Sequence, residues 1–236
     1  NRTLKNPVQM FKIFKKMCAN FKSLTLAQLQ NLGLVDIPFE YPDEVYPNYE
    51  CPLLFQSAKG LEWRKVHFGL IPKWSNDTSI ALKTYNARNE TLMQKPTFQN
   101  AINKCKFGVI PVSEFYESKY IDGKAQRWGV RKKDGHAFYI AALYEICKKG
   151  DDLIRYATML TMNAIDHAMM KEFHEPSAVK RSVIVIPQAR LQEWLNWNSS
   201  NIQSFVQGFP VEEFECSYVP KMKIEKISPQ LNFFDS

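Results

Sequence analysis

Three polar residues stand where the surrounding sequence is otherwise apolar, and their types suit proton transfer and polar orientation. Asn86 lies in YNARNET, just beyond a lysine-containing loop. Glu117 follows the apolar run of VIPVSEFYES. His174 ends a short apolar-periodic stretch and precedes a polar loop and RSVIVIP. A carboxylate and an imidazole can pass a proton between them, and a carboxamide can orient a reacting group through its donor and acceptor. Spacing alone does not bring the three together. Taken singly, Asn86 reads as a turn residue or cap, Glu117 as an exposed strand-end acid, and His174 as a helix-terminal residue favoured by the dipole. Other chemistries lack their residues: there is no phosphate loop, GxGxxG, HExxH or GxSxG. His67, His136, His167 and His174 show no metal-ligand spacing. Cys18, Cys51, Cys105, Cys147 and Cys216 are odd in number and never form CxxC. No disulfide framework, metal site or cofactor is expected, and a reducing cytoplasm is the expected compartment.

The elements that must position these residues read as many strands with helices between and after them. LTLAQLQNL has helical spacing and stops at Gly33. Residues 35–52, rich in Pro and aromatics, read as extended, ordered loop. EWRKVHFGLIP alternates like a strand ending at Pro72, and AINKCKFGVIP repeats that pattern, ending at Pro111. RWGVRKK and HAFYIAALYEI read as consecutive strands around Asp134-Gly135, a dipeptide favoured in hairpins. YATMLTM, RSVIVIP and FECSYVPKM read as strands, AIDHAMMKEFH as a short helix, and ARLQEWLNW and IQSFVQGF as amphipathic helices. Without strict βαβ alternation, the expectation is a single α+β domain, with a mostly antiparallel mixed or barrel-like sheet surrounded by helices.

The chain has 236 residues, 45% hydrophobic and 23% charged, enough for one large domain with its own core and far too apolar for disorder. No apolar run is long enough to cross a membrane as a helix. The net charge of +7 is uneven. Residues 1–17 carry Arg2, Lys5, Lys12, Lys15 and Lys16 and no acid, whereas the remainder is almost neutral. Whole-molecule basicity is therefore no argument for nucleic acid. Local clusters would have to supply the cations: Arg127, Arg131, Lys132 and Lys133, and later Lys180 with Arg181.

GLIPKW (69–74), NARNET (86–91), VIPVSEFYE (109–117), AFYIAALYE (137–145), ATMLTMNA (157–164) and FHEPSAVKRSVIVI (173–186) occur in the order of one family. Together they resemble the SOS response-associated peptidase (SRAP) family, whose members are also called abasic site processing proteins. The likeness runs from Met17-Cys18 to about Leu195. It implies a DNA-protein crosslinking enzyme with a cysteine at position two, here Cys18 in MCANF. Its partners would be Asn86 of NAR, Glu117 of FYE and His174. Arg88 would hold a phosphate, and Trp74, Pro72 and Arg181 would help grip single-stranded DNA. The expected partner is single-stranded DNA containing abasic sites, bound by a monomer in the cytoplasm, nucleoid-associated during damage. The implied chemistry is thiazolidine formation. A free α-amine attacks the aldehyde of a ring-opened abasic deoxyribose, and the thiol of the same residue captures the imine.

The sequence also departs from the family pattern. The usual Met-Cys-Gly-Arg is Met17-Cys18-Ala19-Asn20, so an expected arginine is missing. The usual glycine before Phe-Tyr-Glu is Glu114, which adds negative charge near the expected site. The usual Arg-Met-Pro is Lys180-Arg181-Ser182. Cys105 reads as a buried thiol. An acylated nitrogen cannot form an imine, so residues 1–17 are expected to be an upstream extension or a removable leader ahead of an SRAP-like domain over 18–236. Two rival readings remain: a cysteine peptidase acting on other proteins, and a non-catalytic single-stranded DNA-binding module.

Overall fold

The computed structural model describes residues 20–196 and 202–220. Cys18 and the basic leader lie outside the described residues. Among the described residues, thirteen strands form two sheets. Strands β1 (Asn20–Lys22) and β2 (Glu44–Val45) flank the first helix, α1 (Leu26–Asn31), which begins at a Thr25–Gln28 capping box. Next come β3 (Glu50–Ser57), β4 (Gly60–Phe68), β5 (Asn86–Arg88) and α2 (Pro96–Asn103). The central strands are β6 (Phe107–Val112), β7 (Glu114–Ile121), β8 (Lys124–Lys132), β9 (Phe138–Lys149) and β10 (Asp152–Asn163). The chain finishes with β11 (Arg181–Val183), β12 (Val185–Ile186), α3 (Leu191–Leu195) and β13 (Phe214–Tyr218).

The architecture is α+β and barrel-like. Strands β10, β4, β3, β6 and β9 pair in turn, and β9 pairs with β10 again, which closes a ring. The β4–β10 contact is parallel and the other ring contacts are antiparallel. The second sheet has the order β13-β8-β7-β1-β2. Only Ser113 separates β6 from β7, so one length of chain crosses from the ring into the second sheet.

Side chains along the ring strands alternate between two clusters, as a period of two requires. Leu53, Val66, Ile110, Ile140 and Met159 face a cluster shared with Phe21, Phe115, Val130 and Phe214 of the second sheet. Leu54, Trp63, Val109, Ala141 and Leu160 face a second cluster, filled by Leu29 of α1, Phe98 of α2 and Trp194 of α3. No helix among the described residues is long and apolar enough to cross a membrane.

Several elements differ from the sequence expectation, each for a physical reason. Ala101, Ile102 and Asn103 end α2 rather than start a strand, because Pro96 at the first helical position preorganises that turn. The strand that follows runs through Pro111 to Val112. Cys105 is exposed, not buried, at a left-handed φ of 49° just past the helix. Asp134-Gly135 makes a turn, but β8 and β9 do not form a hairpin: they belong to different sheets. The hairpin of this kind is β7–β8, joined by Asp122-Gly123 with φ of 49° and 72°, the two left-handed residues of a tight primed turn. AIDHAMMKEFH gives one 3-10 turn, Met170–Glu172, and IQSFVQGF another, Ile202–Phe205. In the first, the His167 ring accepts from the Met169 and Met170 amides at 3.3 and 3.4 Å, which competes with helix propagation.

Candidate functional site

Strand β7 places Glu117. Alternation puts Glu117 on the face of Phe115, toward the core shared by the two sheets, and Glu114 and Tyr116 on the opposite face. Glu117 is 6% exposed. Its cross-strand partner on β8 is Trp128, whose indole nitrogen is buried with no hydrogen-bond partner among the described residues. Lys119, two residues along on the same face, holds its ammonium 5.1 Å from the Trp128 ring centroid and 5.9 Å from that of Phe173.

His174 reaches Glu117 from a distant part of the chain. Phe173, fully buried, anchors the segment, and the Phe173 backbone bridges to Lys119 of β7. The His174 amide donates to the Ser118 carbonyl at 2.7 Å. One edge of β7 is thus shared end to end: β1 covers it as far as Tyr116, and the Phe173–His174 segment covers it at Ser118 and Lys119. The hand-over falls at Glu117. His174 takes a left-handed φ of 66°, a costly conformation for a non-glycine residue and one often found at functional sites.

The imidazole is held at both nitrogens. Nε2 lies 2.9 Å from the Arg181 carbonyl, and Nδ1 lies 3.2 Å from Glu117 Oε1. A carbonyl can only accept, so Nε2 carries a proton. The Nδ1–Oε1 contact then needs a second proton between the two groups, because a bare nitrogen lone pair facing a carboxylate would repel it. The pair therefore stores one mobile proton. Burial opposes charge on His174, but the hydrogen bond and charge of Glu117, with the Arg181 carbonyl, outweigh it and raise the pKa above 6.5. Oε1 of Glu117 also accepts the Ser118 amide at 3.0 Å, whereas Oε2 has no partner among the described residues.

Asn86 and Arg88 sit on β5, which runs parallel to β10 with Asn86 opposite Met159 and Arg88 opposite Thr161. Asn86 is buried, and its register partner Met159 belongs to the shared core, so it faces the same interior as Glu117. Arg88 is exposed and has no ion-pair partner among the described residues. Arg181 is different: 4% exposed, it spans both Glu90 carboxylate oxygens at 2.9 Å and donates to Thr161 Oγ1 at 2.9 Å. Its guanidinium is committed inside the protein, and its carbonyl fixes the His174 tautomer. Trp74 is 65% exposed and Pro72 is buried.

The expected cation cluster, on β8 and the residue that follows it, is engaged within the protein. Arg127 pairs with Glu44, Arg131 with Glu114 and Glu215, and Lys132 with Glu213, while Lys133 donates to the Glu212 carbonyl. Glu114 does not add charge beside Glu117. It lies on the other face of β7, over Gly129, where a Cβ would sit 1.9 Å from its Oε1. Sequence reasoning missed Trp128, Lys119 and Glu90. The first two follow from the Asp122-Gly123 turn, which fixes the β7–β8 register, whereas nothing local points to Glu90.

The chain is similar to proteins of known family and fold. Abasic site processing protein YoqW of Bacillus subtilis (strain 168) is 29% identical over 184 residues, covering 75% of this chain and 78% of that protein. Abasic site processing protein YoaM of the same organism is 28% identical over 184 residues, 75% of this chain and 77% of its own. A solved structure from Bordetella bronchiseptica aligns with a TM-score of 0.79 at 25% identity, covering 86% of this chain and 99% of that one. The family profile of the SOS response associated peptidase (SRAP) matches residues 17–226, nearly the whole length that carries β1 through β13, and the chain belongs to that family.

Proposed function

We propose that this chain processes abasic sites in DNA by forming a covalent adduct through Cys18. The observation that carries the reading is the Glu117–His174 pair, with its single stored proton, set where the edge of β7 passes from β1 to the His174 segment. Only two peptide links separate Cys18 from Asn20, a span of at most about 7 Å, and Asn20 is registered opposite Tyr116, next to Glu117.

The chemistry follows from the groups. Ring opening of the abasic sugar breaks the bond from C1′ to the ring oxygen. It takes a proton from the C1′ hydroxyl and returns one to the ring oxygen. Oε2 of Glu117 is the open acceptor for the first, and the proton shared with His174 supplies the second. The Cys18 α-amine then adds to the aldehyde, and loss of water gives an imine. Addition of the thiol across that imine forms the carbon–sulfur bond, moves the thiol proton to nitrogen and closes the thiazolidine. His174 works through Glu117, because its far nitrogen is tied to the main chain. Asn86 orients the sugar or the cysteine from the β5 side. Arg88 is the open cation for a flanking phosphate, and Trp74 is an exposed ring on which a base of single-stranded DNA can stack.

The reaction needs the Cys18 nitrogen free. Hydrolysis of the Met17–Cys18 peptide bond, with the Cys18 thiol as nucleophile, would free it and accounts for a peptidase activity directed at the chain itself. The test is protein beginning at Cys18, its free amine confirmed by intact mass, mixed with a single-stranded oligonucleotide carrying one abasic site. A denaturant-stable adduct that Cys18→Ser abolishes is expected. Binding without any adduct would overturn the reading in favour of a non-catalytic module.

A further inference from the structure

The face of the second sheet turned away from Glu117 carries a polar network that the proposed chemistry does not use. Its centre is Glu44. The Glu44 carboxylate accepts from the Asn20 side-chain amide of β1, from the Arg127 guanidinium of β8, and from the Tyr46 hydroxyl at 2.6 Å. Arg127 in turn lies 3.4 Å from the Tyr116 ring centroid. Tyr116 is both the register partner of Asn20 and the neighbour of Glu117. Four strands, β2, β1, β7 and β8, are therefore tied together at the level of Glu117.

This tie matters because β1 is weakly specified by its ladder. It spans only Asn20–Lys22, pairs with the two-residue β2 on one side, and gives the core a single large apolar side chain, Phe21. A slip of one residue would turn Phe21 out of the core and move the chain ahead of β1 by about 3.3 Å. The Asn20–Glu44 bond on one face and Phe21 on the other together exclude that slip.

We infer that Glu44 is a positioning residue: its carboxylate pins Asn20, and so sets where the chain leaves β1 toward Cys18 relative to Glu117, without touching substrate. The inference rests on the adduct-forming reading of the site. Single-turnover adduct formation is measured at saturating abasic oligonucleotide with protein beginning at Cys18. Glu44→Ala and Asn20→Ala are each expected to lower the rate constant at least tenfold, and the double variant to be no slower than the worse single one. Affinity for undamaged single-stranded DNA stays within twofold. Glu44→Gln keeps an acceptor oxygen for Asn20 and recovers most of the rate. Where Glu44→Ala fails to fold because Arg127 is left uncompensated, Glu44→Ala with Arg127→Met takes its place.

Hydrogen exchange gives an independent arm: the amides of Phe21 and Lys22 should exchange at least tenfold faster in Glu44→Ala, with Val130 unchanged. Wild-type rates in Glu44→Ala, or loss of rate that Glu44→Gln does not recover, overturn the inference. Wild-type protein that forms no adduct sinks the functional reading instead, and unchanged exchange at Phe21 then sinks the pinning as well.

Discussion

At the scale of single residues, the site turns on one proton held between His174 and Glu117. Because the Arg181 carbonyl occupies Nε2, the imidazole is held away from substrate, and in the proposed chemistry Glu117 is the group that meets it. Replacing Glu117 by Gln should lower the rate of adduct formation by about 10²–10⁴-fold, measured by gel under single-turnover conditions with DNA binding retained. Burial works against the charged imidazole, yet Glu117 and the Arg181 carbonyl raise its pKa above 6.5. A raised value means that the folded protein holds this proton more tightly than the unfolded chain. The stabilisation is then complete below about 6.5 and fades as pH rises through the raised value. Thermal melts from acid to alkaline pH should show wild type losing its advantage over His174→Asn toward the alkaline end. Asparagine is the suitable replacement because it tolerates the left-handed backbone found there.

At the scale of elements, the β7–β8 hairpin is the scaffold, and its two faces do different work. Glu117 and Trp128 face inward, and Glu114, Tyr116 and Arg131 face outward. In its present rotamer the Glu114 carboxylate lies where a Cβ at position 129 would sit. Gly129→Ala should therefore cost about 1–3 kcal/mol in urea unfolding, and Glu114→Ala in the same chain should recover most of it. This hairpin was open to reading from the sequence: Asp122-Gly123 sets the register that puts Trp128 opposite Glu117. Asp134-Gly135 shows the limit of the same signal. A turn dipeptide reports local backbone conformation, not which strands pair, and β8 and β9 pair elsewhere because the chain changes sheets between them. The helix expected over AIDHAMMKEFH failed for a related reason. Tertiary anchoring of Phe173 and the bridge to Lys119 take over the last turn, and these are contacts that local periodicity does not carry.

At the scale of the whole molecule, the cations that the sequence clusters on β8 and at Arg181 are engaged within the described residues. Arg127, Arg131, Lys132 and Arg181 are matched by acids, whereas Arg88 is exposed and has no ion-pair partner among the described residues. The logarithmic salt dependence of single-stranded DNA binding should lose about one unit of slope in Arg88→Ala. Arg131→Ala, whose cation is already paired with Glu114 and Glu215, should leave the slope unchanged while lowering stability. The ion pairs were hidden from the sequence because each joins residues far apart along it, as Glu44 and Arg127 are. Asn86, Glu117 and His174 were nameable from their motifs, but what makes two of them one acid–base unit, the main-chain carbonyl of Arg181, has no side-chain signature. The shared edge of β7 also bears on how the molecule assembles. The two segments that complete that edge lie on either side of the hairpin in the sequence, about 150 residues apart, and synthesis delivers the later one long after the hairpin has emerged. Until residues 173 and 174 arrive, β7 keeps bare peptide groups exposed beside a lone acid, an invitation to the wrong neighbour. In the proposed chemistry, proton transfer therefore waits on the arrival of His174, and a chain cut short of it is expected to be both inert and adhesive.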